Sequence, residues 1–139
     1  MMKQATSLLT LFFLLISFFA SAQVRVACIG ASITGGHGIT TPAERAYPGQ
    51  LQTLLGRRYQ VSNFGIGGTT LLRKGDSPYW KTQAYQDALK FNPDIVFIDL
   101  GGNDAKAINR PHYGEFVDDC RELVRSFSRL PSHPRVILM

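Results

Sequence analysis

Short apolar segments alternate with segments of helical periodicity along most of this chain. Near-continuous apolar runs occupy residues 24–29, 59–64, 94–100 and 135–139. Between them, apolar residues recur three and four positions apart in residues 42–55, 79–90 and 113–130, which is the spacing of one helix face. Apolar strands separated by helices form parallel sheets that are covered on both faces. The alternation therefore predicts an α/β fold built on a parallel sheet.

The first 22 residues have the layout of a secretory signal peptide. Lys3 gives a positive start, residues 8–20 are almost entirely apolar, and Ala20-Ser21-Ala22 forms a small-x-small cleavage signal. The apolar run is shorter than the roughly 20 residues that span a bilayer. We therefore predict cleavage after Ala22, a secreted or periplasmic protein with no stable membrane insertion, and one domain over residues 23–139.

Charge and cysteine usage exclude several other classes. The formal net charge is +5, but the basic residues are scattered and no basic cluster alternates with aromatic residues, which argues against nucleic-acid binding. Cys28 lies in an apolar strand and Cys120 on the apolar face of a predicted helix, so we expect two separate buried thiols. Neither cysteine nor any of the three histidines shows metal-ligand spacing.

Glycine is concentrated directly after the first three predicted strands. In open parallel sheets, ligands bind outside the carboxyl ends of the strands. Glycine at such an end permits a positive φ angle and a close approach of the backbone to a ligand. We therefore expect one crevice lined by the three turns, which hold nine of the 13 glycines: Gly30, Gly35, Gly36, Gly38, Gly65, Gly67, Gly68, Gly101 and Gly102.

The three turns carry complementary chemical groups. "GASIT" contains the hydroxyl of Ser32, "NFGIGGTT" has unhindered backbone N–H groups at Gly67 and Gly68, and "GGND" has the side-chain amide of Asn103. In acyl transfer a hydroxyl attacks a carbonyl carbon while nearby donors hold the developing oxyanion. The joint pattern on three successive strands favours a serine nucleophile with an oxyanion hole.

Each group also has a simpler structural interpretation. Ser32 or Thr34 is a suitable N-cap for the following helix. The glycine pair suits an ordinary tight turn. Asn103 is a common turn residue, and Asp104 is suited to cap the next helix. These alternatives stay open until the three turns are placed in space.

The order of serine, glycine and asparagine in these turns resembles the SGNH hydrolases, also called GDSL esterases. "GASIT", "NFGIGG" and "GGND" after "IVFIDL" are similar to the family's first three blocks. Within the family, "YPGQLQ", "NFGIGGTTLL", "GDSPYW" and "NPDIV" are similar to secreted bacterial sialate O-acetylesterase-like proteins. The resemblance implies a flavodoxin-like three-layer αβα fold with a parallel sheet.

The resemblance also implies an activity and three catalytic residues. Ser32 is the nucleophile and lends its own N–H, while Gly68 lends a second N–H and Asn103 its amide. The implied reaction is hydrolysis of an acyl ester, acetyl first of all, on a small molecule or carbohydrate, through an acyl-enzyme and without a metal or organic cofactor.

Two features depart from the family pattern. Ala31 stands where the family has an aspartate that braces the loop. The late Asp-x-x-His segment that supplies the family's base and acid is missing, and none of His37, His112 and His133 is placed like that base. The chain also stops within a predicted strand. We therefore expect the N-terminal, incomplete part of a longer domain, truncated after the start of the fourth strand and nearly inactive alone.

Two other functions compete with the esterase. A non-catalytic carbohydrate-binding domain would use the same crevice without a working base. A nucleotide-binding domain predicts G-x-G-x-x-G after the first strand, whereas "GASITG" has Ser32 in place of the second glycine. We expect Tyr79 and Trp80 to pack a helix onto the sheet rather than stack on a sugar, and Arg73 and Lys74 to be solvated loop charges.

Overall fold

The computed structural model describes residues 22–139. The predicted signal peptide falls almost entirely on residues 1–21, outside the described part, and it stays a prediction together with the division into domains. Among the described helices, none combines the length and apolar character needed to cross a membrane.

Four parallel strands form one sheet in the order β2-β1-β3-β4. The strands are β1 Val24–Gly30, β2 Tyr59–Gly65, β3 Ile95–Asp99 and β4 Arg135–Leu138. All four were predicted to within two residues, because each is an apolar run that is too short for a helix. The order is that of a flavodoxin-like sheet, which confirms the predicted fold class. The register places Gly30 beside both Gly65 and Asp99, so the first three strands end level with one another.

Proline and threonine residues explain two of the helix boundaries. The predicted helix 42–55 is two helices, α2 Pro42–Arg45 and α3 Tyr47–Leu55, after a short helix α1 Ser32–Gly35. The break follows from Pro48, which has no N–H to donate and is tolerated only in a first helical turn. The predicted helix 79–90 starts as a 3₁₀ turn, Tyr79–Lys81, and α4 is Gln83–Phe91, capped by Thr82.

The last helix is shorter than its periodicity predicted. Residues Ala107–Glu115 form 3₁₀ turns, and α5 is Phe116–Ser128 rather than 113–130. Pro111 lies within the 3₁₀ segment and cannot supply the N–H that an α-helix would need there. Tyr113 is consequently outside α5 and 43% exposed.

The main core lies between one face of the sheet and helices α4 and α5. Phe127 and Leu123 of α5 and Ala88 of α4 are fully buried against strands β1 and β3. Tyr79 and Tyr85 complete this layer with an edge-to-face contact of 6.1 Å between ring centroids. The strand residues in this core are Ala27, Ile29, Val96 and Ile98.

The opposite face of β1 and β2 is covered by α1 and α3, and α2 packs against α3. Cys28 points into this second layer and is fully buried, whereas Cys120 of α5 is half-buried on the first face. Both thiols are free, which confirms the expected separation. Cys120 is only half-buried, contrary to the expectation that both thiols are buried.

Candidate active site

Ser32 occupies the first position of α1, directly after β1. The N-cap residue is Ala31, and no side chain caps this helix, so neither Ser32 nor Thr34 has the capping role considered from the sequence. Thr34 instead donates to the Asp99 carboxylate at 3.3 Å. The N–H groups of a first helical turn have no partner within the helix. The Ser32 hydroxyl and its N–H therefore both lie at the rim of the sheet.

Close backbone packing fixes the Ser32 turn against β2. A Cβ on Gly65 would lie 2.3 Å from the Gly35 nitrogen, so only glycine allows the two backbones to approach this closely. The turn is further held by the Asn63 amide, which donates to the Thr34 carbonyl at 2.7 Å, and by Ile66, whose N–H donates to the Gly30 carbonyl at 3.0 Å.

The second turn passes beside Ser32. A Cβ placed on Gly67 would lie 4.0 Å from the Ser32 Cβ, so the second turn runs next to Ser32. Gly68 has a φ angle of 83°, which is unfavourable for residues with a side chain. Within residues 22–139 the N–H groups of Gly67 and Gly68 donate no backbone hydrogen bond, and both remain available to a ligand.

The third turn brings Asn103 to the same place. Its amide donates to the Thr69 carbonyl at 3.0 Å, which ties it to the residue after Gly68, and among residues 22–139 its second N–H has no acceptor. Asn103 and Ser32 line one cavity of about 190 Å³ together with Ala31, Ile33, Asp99 and Gly102. The structure thus brings Ser32 and Asn103 together in one cavity. Gly68 is not among the residues that line this cavity; it stands between Gly67 and Thr69, whose carbonyl accepts the Asn103 amide.

Asp99 contributes the carboxylate in this cavity. Asp99 is the last residue of β3 and lines the cavity. The family that this chain resembles has its loop-bracing aspartate at position 31, where this chain has alanine. The Thr34 hydroxyl that donates to Asp99 is fully buried. The loop that bears Ser32 is therefore tied to an acid of a neighbouring strand.

The thiol beneath the cavity is not a competing nucleophile. Burial raises the pKa of Cys28 to about 11, although the nearby Tyr47 hydroxyl lowers it in part. Only the thiolate is strongly nucleophilic. Cys28 thus remains protonated at neutral pH, which leaves the Ser32 hydroxyl as the candidate nucleophile at this end of β1.

A larger cavity of about 420 Å³ lies between α3 and β2. Two of its polar side chains, Gln52 and Asn63, are already engaged with backbone groups: Gln52 with Gly56, Tyr59 and Val61, and Asn63 with Thr34 and Gly65. The smaller cavity, which is lined by Ser32 and Asn103, is therefore the candidate active site.

The structural role of Asp104 was not predicted from the sequence. This residue does not cap a helix, since Gly101 precedes the 3₁₀ turn Gly102–Ala105 in that position. Its carboxylate is 3% exposed and accepts the N–H groups of Leu71 and Leu72 at 2.9 and 2.7 Å. Leu71 and Leu72 lie more than thirty residues from Asp104 in sequence, so no local pattern indicates this pairing. The one sequence signal at Asp104 is its place in the "GGND" motif.

Replacing Asp104 by alanine is expected to destabilise the fold. The substitution leaves two buried N–H groups unpaired, at about 1–3 kcal/mol each, so we expect a loss of about 2–6 kcal/mol in the free energy of unfolding. Asp118→Ala is the matched control, because that carboxylate is 81% exposed and should change stability by less than about 1 kcal/mol. Urea unfolding of both variants measures the difference, and equal effects would contradict the role of Asp104.

Three histidines were considered from the sequence, and none lines the cavity of about 190 Å³ as residues 22–139 form it. His37 is exposed, and only its backbone N–H contacts the Ser32 carbonyl, at 2.9 Å. His112 faces Glu115 at 3.8 Å. His133 precedes β4, at the amino end of the sheet. Within residues 22–139, none of the three is therefore placed in the cavity as a base for Ser32.

The suggested sugar contacts have structural roles, as expected. Tyr79 is fully buried and donates to the Phe64 carbonyl at 2.8 Å, and the Trp80 ring N–H donates to the Leu71 carbonyl at 2.6 Å. The Arg73 guanidinium lies 4.0 Å from the centre of the Trp80 ring, and Lys74 pairs with Glu115 at 2.9 Å. These loop cations are thus paired rather than fully solvated.

Fold and site together define a class of protein. A parallel sheet in the order 2-1-3-4, with a serine, a glycine and an asparagine at three successive strand ends, is the arrangement of an SGNH-type α/β hydrolase. Residues 28–139 match the GDSL-like Lipase/Acylhydrolase family, and the chain belongs to that family.

Known proteins with related sequences and folds are esterases. An acetylxylan esterase of Xylanibacter ruminicola is 48% identical over 103 residues, which cover 74% of this chain and 22% of that protein. A candidate arylesterase from Agrobacterium tumefaciens str. C58 has a similar fold, with a TM-score of 0.66 at 25% identity over 84% of this chain and 62% of that one. A carbohydrate acetylesterase family member from Sinorhizobium meliloti gives a TM-score of 0.62 at 23% identity, with 84% and 62% covered.

The chain spans only part of the length of these proteins, 22% of the acetylxylan esterase and 62% of the two solved structures. The narrower similarity to sialate O-acetylesterase-like proteins, and the catalytic roles of Ser32, Gly68 and Asn103, stay predictions.

Proposed function

We propose that this chain forms the serine, glycine and asparagine part of an esterase that removes small acyl groups, chiefly acetyl, from carbohydrate. The observation that carries the proposal is the cavity shared by Ser32 and Asn103, with the second glycine turn next to Ser32. A hydroxyl beside several unpaired donors suits attack on an ester carbonyl and stabilisation of the resulting oxyanion.

In the proposed reaction the Ser32 oxygen attacks the ester carbonyl carbon and loses its proton to a general base. The N–H groups of Ser32 and Gly68 and the Asn103 amide hold the negative oxygen of the tetrahedral intermediate. Collapse breaks the bond to the sugar oxygen, which takes the proton and leaves as an alcohol. Water then attacks the acyl-serine by the same route and releases the carboxylic acid.

The base is proposed to be a histidine of the late Asp-x-x-His segment that the family resemblance implies. A serine hydroxyl needs such a base to react at neutral pH. Asp99 lies in the cavity lining but its carboxylate already accepts the Thr34 hydroxyl, so we assign it to the support of the loop.

The shape of the site favours a small acyl group. A cavity of about 190 Å³ is below the roughly 300–1,000 Å³ of sites that enclose drug-sized ligands. A second, largely apolar cavity of about 370 Å³ shares the Gly101–Ala105 turn and is lined by Tyr113, Phe116 and Val117. It suits the apolar face of a sugar ring. The acetylxylan esterase relative supports a carbohydrate ester as the substrate.

Chain-length preference tests the acyl assignment. We expect the full-length protein to hydrolyse p-nitrophenyl acetate and to release acetate from acetylated xylan. The value of kcat/KM should fall at least tenfold from acetyl to butyryl, since two added methylenes meet about 1–3 kcal/mol of discrimination each. Equal rates on octanoyl and acetyl esters would contradict the small-acyl proposal.

The competing proposal is a non-catalytic carbohydrate-binding domain with the same crevice. It predicts that acetylated xylan binds the full-length protein without any release of acetate. Calorimetry combined with an acetate assay separates the two functions on one sample.

A further inference from the structure

Three side chains form a hydrogen-bonded cluster that contacts the backbone of Asn103 and Gly68, the residues of two proposed oxyanion donors. We define it by the side chains of Asp76, Lys106 and Asn109. Asp76 belongs to the loop that follows Gly68, and the other two follow Asn103 in the chain. The cluster therefore joins the two turns that carry donors.

Asn109 is the centre of this cluster. It is 1% exposed, and its amide nitrogen donates to the Asn103 carbonyl at 3.1 Å and to the Asp76 carboxylate at 3.0 Å. Its amide oxygen accepts the Asp76 N–H at 2.8 Å. One buried side chain thus binds the backbone of Asn103 and clamps the loop that leads from Gly68.

Lys106 connects the cluster to Gly68. Its ammonium group lies 2.8 Å from the Asp76 carboxylate and 3.4 Å from the Gly68 carbonyl. Hydrogen bonds from Lys106 and then Asn109 hold the pKa of Asp76 below its usual range, so this carboxylate stays charged at neutral pH. The charge on Asp76 in turn holds Lys106 beside Gly68.

We propose that Asn109, assisted by Lys106 and Asp76, is a positioning residue that sets the orientation of the Asn103 and Gly68 donors. The proposal rests on the esterase function proposed above. None of the three side chains lines the cavity that Ser32 and Asn103 share, so their effect must act through the two donors.

The physical reason is the steep dependence of catalysis on geometry. Donors stabilise an oxyanion only when they are aimed at the place where the charge develops. A displacement of about 1 Å can reduce the rate by about 100-fold. The Asn103 side chain makes one hydrogen bond, to the Thr69 carbonyl, so it needs its backbone fixed on the other side, and Asn109 provides that contact.

The test compares Asn109→Ala with Gln52→Ala in the full-length protein. Gln52 is a matched control because its side chain also makes three hydrogen bonds, to Gly56, Tyr59 and Val61, at the amino end of β2. For p-nitrophenyl acetate we expect Asn109→Ala to lower kcat about 10- to 100-fold with little change in KM. Gln52→Ala should lower the melting temperature without lowering kcat.

A double-mutant cycle separates positioning from general stability. If Asn109 acts through Asn103, adding Asn109→Ala to Asn103→Ala should lower kcat by less than about twofold further. An undiminished second loss would overturn the proposal, as would equal kcat values for Asn109→Ala and Gln52→Ala.

A second variant covers the case in which Asn109→Ala does not fold. Lys106→Met removes the contact with Gly68 from a side chain that is 42% exposed, so folding should survive. We expect a threefold to tenfold lower kcat at unchanged KM, and an unchanged kcat would overturn the proposal. A wild-type protein that hydrolyses no ester would refute the proposed function itself, which distinguishes the two failures.

Discussion

Replacing Ser32 by alanine is expected to abolish ester hydrolysis by the full-length protein, with kcat on p-nitrophenyl acetate falling about 10⁴- to 10⁶-fold. The reason is that no acyl-enzyme forms without the hydroxyl that stands at the start of α1. Residual turnover would come only from the donors, which still polarise the carbonyl. Binding of the substrate should change little, because the lost oxygen contributes one contact.

Ser62→Ala is the matched control for this substitution. Ser62 is a half-buried serine of β2, away from the cavity of about 190 Å³. It should retain wild-type turnover, and both variants should unfold at the same denaturant concentration as the wild type. Full activity of the Ser32 variant would contradict the assignment of the nucleophile.

The second large effect is expected for Asn103→Ala. Loss of one oxyanion donor typically costs about 10²- to 10³-fold in kcat, or about 2.7–4 kcal/mol. The KM should stay within about twofold, because the contact forms fully only in the transition state. Steady-state kinetics on p-nitrophenyl acetate separates the two parameters.

Asn92→Gly serves as the control for Asn103. Asn92 has a φ angle of 49°, which glycine also adopts, and its side chain accepts one hydrogen bond from Ser132 at 3.2 Å. It lies beyond the end of α4, away from the proposed donors. An Asn103 variant that differs from wild type only in KM would point to a ground-state binding role instead.

The sheet was predictable because its signals are local. Residues 24–29, which end at Gly30, and residues 94–100, which lie between Pro93 and Gly101, are apolar runs too short for helices. Once the strands are parallel, their carboxyl ends must meet at one edge. The parallel arrangement alone therefore predicts that Ser32 lies near Asn103, and the cavity that these two residues share agrees with this prediction.

Helix boundaries were less predictable because they depend on one or two residues. Apolar spacing continues across Ala46, yet α2 ends at Arg45 and a new helix, α3, begins at Tyr47 with Pro48 in its first turn. The same spacing runs from Tyr113 into α5, although the chain before Phe116 forms 3₁₀ turns. The spacing of apolar residues indicates which residues face the core. Over short stretches, an α-helix and a 3₁₀ helix give the same spacing.

The support beneath the site could not be predicted from the sequence. Asp104 binds the backbone of Leu71 and Leu72, and Asn109 binds Asp76, across more than thirty residues in each case. No local pattern records such a pairing, since an aspartate or asparagine in a turn equally well caps a helix. The same holds for Asp99 and Thr34, which meet only because β1 and β3 are neighbours.

A crystal structure of the full-length protein after reaction with diethyl p-nitrophenyl phosphate tests the central claim most directly. The account predicts a phosphoryl group bonded to the Ser32 oxygen. Its free oxygen should lie about 2.7–3.1 Å from the nitrogens of Ser32 and Gly68 and from the Asn103 amide nitrogen. A phosphoryl group on another side chain, or an oxygen turned away from Gly68 and Asn103, would contradict it.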